Sequence, residues 1–119
     1  DGDGDTGTFI VMVLDSHDRA ADVTIRLKSG GLHNVFRIHE YGLHIYYNIP
    51  TLTGKVPCSP AGDPWNLPAN AESVYDYRMG ACPESDDLFA RSVIIPVPSR
   101  LTTEQEDGAI AVIREAVGG

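Results

Sequence analysis

Five prolines, at positions 50, 57, 60, 64 and 68, crowd one stretch of this chain and bar it from a long helix or a central strand. A long irregular loop over about residues 50–80 is therefore expected. Loops of that length inside compact domains are usually functional or disordered. The run feeding this loop, His44-Ile45-Tyr46-Tyr47-Asn48-Ile49-Pro50, reads as a strand end, with two β-competent tyrosines, an amide and a stopping proline. With Trp65, Tyr75 and Tyr77 it supplies the aromatics of a binding surface. Two readings of these rings stand side by side: polar tips lining a cleft, or side chains packed on the sheet beneath a loop that covers its edge.

The flanking segments suggest the scaffold. Residues 6–14 form a continuous apolar, β-branched run, expected as a strand buried on both faces. Asp15-Ser16-His17-Asp18 offers capping oxygens and first-turn acids for a helix. Ala20, Ala21, Val23, Thr24 and Leu27 give that helix an apolar face, and Gly30-Gly31 stops it. Residues 33–39 alternate weakly, between loop and strand, and Leu43–Asn48 reads as the second strand. A short helix is expected from Pro83-Glu84 through Ala90, since proline suits a first turn. A third strand follows over residues 92–98. Thr102 or Thr103, with Gln105 or Glu106 three residues on, spells a capping box for a last helix. Ala109, Ile110, Val112, Ile113, Ala116 and Val117 recur at helical spacing along it.

The expected order is β-α-β-loop-α-β-α, an α+β domain with a small, mostly antiparallel sheet under helices. Residues 1–6 read as a linker and 7–119 as one small domain. At 119 residues such a chain can bury a core without staples.

Composition narrows the function classes. Net charge is −8, and the nine basic residues are scattered, so no electrostatic stripe for nucleic acid is expected. No apolar run approaches membrane-spanning length, and reduced thiols at Cys58 and Cys82 suit a cytoplasmic protein. Asp1, Asp3 and Asp5 alternate as in a calcium loop, but Thr6 and Met12 occupy the positions that need glycine and glutamate. The four histidines lack metal-site spacing, and no metal is expected. A nucleophile elbow, a P-loop and a dinucleotide fingerprint are all missing from the sequence. Glu84, Asp86 and Asp87 are accounted for by the helix dipole. Another reading is an independent loop-based enzyme using Cys58 or the histidines, which replacing Cys58 and His44 would test.

Four motifs, in order, carry a resemblance. They are Gly4-Asp5-Thr6-Gly7-Thr8-Phe9, with the helix ending Leu27-Lys28-Ser29-Gly30-Gly31; His44-Ile45-Tyr46-Tyr47-Asn48; Cys82-Pro83-Glu84-Ser85-Asp86-Asp87-Leu88-Phe89-Ala90-Arg91-Ser92; and Ile94-Ile95-Pro96 with Leu101-Thr102-Thr103-Glu104-Gln105. Together they resemble the C-terminal small domain of the DegT/DnrJ/StrS aminotransferases, pyridoxal-phosphate enzymes that aminate keto-sugars. The resemblance implies a domain that packs on a cofactor-binding large domain and shapes the substrate site. By position it implies Tyr46, Tyr47 and Asn48 as substrate-lining residues, with Thr8 and Thr6 as weaker candidates. The Schiff-base lysine and the phosphate cup belong to the large domain in that family. Nothing here matches them, so this chain alone is expected neither to bind pyridoxal phosphate nor to transaminate. The expected partners are a large domain or subunit and, through the apolar face such a domain covers, further copies of the chain, or else a mobile Gly54–Arg78 loop. The rival expectation is a stand-alone binding module of the same fold.

Overall fold

The computed structural model describes residues 7–42, 45–60, 64–73 and 76–118. Helix α1 (His17–Ser29) starts where the Ser16 hydroxyl accepts the Arg19 N–H at 3.1 Å. It ends in a Schellman turn: Leu32 N–H reaches the Leu27 carbonyl and Gly31 N–H the Lys28 carbonyl. Gly31 sits at φ +103°, which a side chain would strain. Gly30 is needed for a different reason, its backbone being ordinary at φ −78°. A Cβ there would lie 2.5 Å from Cγ1 of Val112, so the last helix rests on bare backbone.

That helix, α5 (Thr103–Gly118), opens with the expected capping box: Gln105 N–H donates to the Thr102 hydroxyl, and Thr102 N–H to the Gln105 side chain. Its other end is held by the Arg19 guanidinium, which donates to the Val117 carbonyl.

Three strands, β1 (Phe9–Val13), β2 (Phe36–Arg37) and β3 (Ser92–Pro96), form an antiparallel sheet in the order β1-β3-β2. The architecture is α+β, as the sequence indicates. Ala20, Val23 and Leu27 of α1 pack with Val35, Val93, Ile95 and Ala116 as the core, flanked by Met12, Leu14, Leu32, Val112 and Ile113. The α1 positions are spaced three and four apart, which brings them onto one face of the helix.

Three expectations are corrected. The second strand is Phe36–Arg37; of the expected Leu43–Asn48, Leu43 and His44 lie outside the described residues, Ile45 is buried and Tyr46–Asn48 is a 3₁₀ turn. The segment before the short helix α2 (Ile38–Tyr41) pairs with Val93 and Ile94 first, so the tyrosines add no fourth strand. The first strand is not buried on both faces: Phe9, Val11 and Val13 are 58%, 44% and 53% exposed. It is an edge strand with only its Met12 side on the core. The third strand stops at Pro96, short of the expected 98.

The proline-rich segment is more ordered than its composition implies. Pro50 opens helix α3 (Pro50–Thr53), Pro64 and Pro68 open the 3₁₀ turns Pro64–Asn66 and Pro68–Asn70, and Pro83 opens α4 (Pro83–Arg91). Each ring sits where a first-turn N–H would be unpaired in any case, and its fixed φ suits the turn.

Candidate functional site

The Tyr46–Asn48 turn is fastened to the start of α4 by one phenol. Tyr46 donates to the Asp86 carboxylate, 3.0 Å from each oxygen, and accepts from the Cys82 N–H at 3.2 Å. Asp86 also accepts the Gly80 N–H at 2.7 Å. Loss of solvent around the phenol, together with the Asp86 carboxylate, raises the Tyr46 pKa above the ordinary tyrosine value. Tyr47 meets Tyr46 edge-on, with ring centroids 5.1 Å apart. Burial and the Asp86 charge raise its pKa as well.

These bonds divide the roles of the two tyrosines. A phenol has one proton to donate, and Tyr46 spends it on Asp86. The Tyr47 hydroxyl makes no hydrogen bond among the described residues, and the Asn48 side chain is exposed and likewise without one. Tyr47 and Asn48 are thus the groups of this turn that are available to a ligand, while Tyr46 is a strut. Thr8 lies at the entry to β1, where its carbonyl accepts from Val97 N–H at 3.0 Å. Among the described residues no hydrogen bond joins it to the tyrosine turn. Thr6, His44 and Tyr75 lie outside the described residues, as do Asp1, Asp3 and Asp5.

Sequence reasoning missed Asp86 as a partner of Tyr46. The two are 40 positions apart, and nothing local distinguishes Asp86 from any first-turn acid. It also missed a cluster behind α4. Asp87 accepts from Arg91 Nε at 2.7 Å and pairs with His17 Nε2 at 3.0 Å, and Arg91 Nη1 donates to the Leu14 carbonyl at 2.8 Å. Arg91 first, then His17, holds the Asp87 carboxyl below its ordinary range. The spacing of four between Asp87 and Arg91 was its only legible signal. The cluster ties α1, α4 and the end of β1 together and borders a shallow depression with Asp15, Ser16 and Asp18.

Farther along the loop, Trp65 Nε1–H donates to the Tyr77 hydroxyl at 3.1 Å, and Asn70 donates to the Pro64 carbonyl at 2.7 Å. These aromatics are engaged in holding the loop's own shape. An apolar groove of about 780 Å³ runs between α5 and the sheet, walled by Leu32, Val35, Ile95, Val97, Ala109 and Ile113.

Both lysines are exposed, Lys28 in the last turn of α1 and Lys55 in the turn after α3, at φ +50°. A lysine activated for Schiff-base chemistry needs a desolvated site. Cys58 and Cys82 are exposed free thiols. Among the described residues, no group of three His, Cys, Asp or Glu side chains gathers as a metal site, and no helix is long and apolar enough to cross a membrane.

The Tyr46 clasp predicts a measurable latch. In Tyr46→Phe the Asp86 carboxylate loses its phenol donor and the Cys82 N–H its acceptor. Limited proteolysis within the Gly54–Arg78 segment should then quicken roughly tenfold, the scale of one hydrogen bond to a charged group. In the wild type the same opening should appear at high pH. A phenol whose folded pKa is raised contributes stability fully below its unfolded pKa and loses it as pH rises through the folded value. Cleavage that ignores both the substitution and alkaline pH would show that the clasp does not hold the loop.

Compared with known proteins, the chain matches no family model and no curated sequence.

Proposed function

We propose that this chain is the small domain, or the split C-terminal half, of a pyridoxal-phosphate-dependent aminotransferase acting on keto-sugars in the cytoplasm. The observation that carries this reading is the junction of two of the resembling motifs. The tyrosine turn and the Cys82–Ser92 helix, far apart in sequence, meet through Tyr46, Asp86 and Cys82. In this reading α4 supports the turn, and the turn presents Tyr47 and Asn48 to the substrate. A phenol and a carboxamide suit a polyhydroxylated sugar, because they hydrogen-bond without adding charge. The cofactor, with its lysine and phosphate contacts, belongs to the large domain; this chain orients the substrate and excludes water as the cleft closes. Phe9, Val11 and Val13, exposed on the outer side of β1, are the kind of apolar surface a neighbouring domain or chain covers.

The test is reconstitution. Mixed with the large domain of a keto-sugar aminotransferase, the chain should restore pyridoxal-phosphate-dependent amino transfer, and Tyr47→Phe should raise KM more than it lowers kcat. The isolated chain should show no lysine-bound cofactor absorbance. Such absorbance from the chain alone, abolished by changing Lys55, would overturn the proposal, as would failure to complement any such large domain.

A second reading, a stand-alone binding module, draws on the apolar groove beneath α5, whose volume falls in the range of small-molecule sites. Titration of an apolar fluorophore, with Ala109→Trp to block the groove, separates it from the first reading.

A further inference from the structure

The pairing of β1 with β3 leaves a self-complementary edge. Val97 N–H donates to the Thr8 carbonyl and Leu14 N–H to the Arg91 carbonyl. In an antiparallel ladder, residues alternate between those bonded to the neighbouring strand and those facing away. With Phe9 opposite Pro96 and Val11 opposite Ile94, the bonded positions are Thr8, Ile10, Met12 and Leu14. Pro96 agrees with this phase, since it has no N–H to give Phe9. The N–H and C=O groups of Phe9, Val11 and Val13 therefore point out of the sheet. Among the described residues they meet no other strand. The side chains of the same three residues are exposed on one face of the strand, and Ile10 is exposed on the other.

Natural edge strands are blunted by charges, prolines, bulges or shortness. Phe9-Ile10-Val11-Met12-Val13 has no charge and no proline, and it pairs with β3 without a bulge. We propose that the occupant of this edge is a second copy of the chain, its β1 running antiparallel to the first about a two-fold axis through Val11. That register sets Val11 opposite Val11 of the second copy and Phe9 opposite Val13 on either side. All three positions in each strand are outward-bonding, so the pairing closes six backbone hydrogen bonds and leaves none of these groups unpaired. It also joins the two sheets into one of six strands. On the outer face each Phe9 ring then lies beside a Val13, an aromatic and β-branched pair of the kind that stabilises cross-strand contacts. A second copy meets the requirement of an isologous interface, one patch that complements itself under a two-fold rotation, because Phe9, Val11 and Val13 are spaced symmetrically about Val11 and none carries a charge. This pairing uses only the chain itself and holds whether or not a large domain exists.

The test is sedimentation equilibrium of the full chain across a concentration series, with Val11→Lys and Val11→Asp. The wild type should dimerise, and each single variant should weaken the dimer at least about tenfold, because like charges then face each other directly. Mixing the two variants in equal amounts should restore a one-to-one dimer, which only the Val11-to-Val11 register allows. Val11 is 44% exposed, so both variants should keep the wild-type circular dichroism. Hydrogen exchange gives an independent signature: the Phe9, Val11 and Val13 amides slow in the dimer, while Ile10 and Met12 are slow in either state. A dimer indifferent to both variants overturns the proposal, as does a charge-swapped mixture that stays monomeric. A wild type that is monomeric at every concentration also overturns it, and leaves the edge to a strand of another protein.

Discussion

Leu27→Ala should destabilise the fold by about 2–5 kcal/mol, a large part of the stability of a domain this size. Leu27 is wholly buried and is among the largest fully buried side chains. It meets the sheet between Val23 of its own helix and Val93 and Ile95 of β3. Truncation removes its transfer free energy and leaves a cavity that α1 cannot close, because the helix is held by Ser16 at one end and the Schellman turn at the other. The backbone bond from Leu32 N–H to the Leu27 carbonyl survives the change, so the loss reports packing alone. Urea unfolding should show a lower midpoint at unchanged slope. A cost below about 1 kcal/mol would mean that the core lies elsewhere.

Gly30→Ala should cost about 1–3 kcal/mol even though the backbone there is one that alanine readily adopts. The new methyl would stand 2.5 Å from Cγ1 and 3.2 Å from Cγ2 of Val112, and β-branched valine has little rotamer freedom with which to retreat. The strain should therefore displace α5 from α1. Val112→Ala removes the obstructing methyls, so the double variant should be less destabilised than the sum of the two singles, with a coupling of about 0.5–3 kcal/mol. Strict additivity would place α5 elsewhere. Since α5 also forms one wall of the apolar groove, the same pair of variants sets the groove's width.

How far each feature could be read depends on the range of the interaction that decides it. Ser16 as a cap, Gly30-Gly31 as a stop, Pro83 as a first-turn residue and the Thr102–Gln105 box were all legible, because each involves atoms within a few residues of one another. The tyrosine run was not. Tyr46 and Tyr47 have strand propensity, and the prediction of a strand over 43–48 followed from it. The sheet position beside β3 is filled by Phe36–Arg37, so the tyrosines turn instead. A strand is made by its partner, and sequence periodicity does not name the partner. The same limit hid the edge character of β1, whose apolar run reads alike whether one face is covered or two.

The candidate site divides in the same way. Tyr47 and Asn48 could be singled out from the residues and their resemblance. Their separation from Tyr46 could not, because it rests on a carboxylate 40 positions away. What the sequence by itself determined was the set of local structures: where helices begin and end, which segments are apolar, and which side chains carry polar tips. What only the tertiary structure decided was which of those tips are spent. Asp86 accepts the Tyr46 hydrogen bond while the Tyr47 hydroxyl makes none among the described residues, and β3 takes one edge of β1 and leaves Phe9, Val11 and Val13 facing out. The physical reason is common to both: a hydrogen-bonding group is satisfied by whatever the fold brings within about 3 Å, and chain order carries no record of that distance.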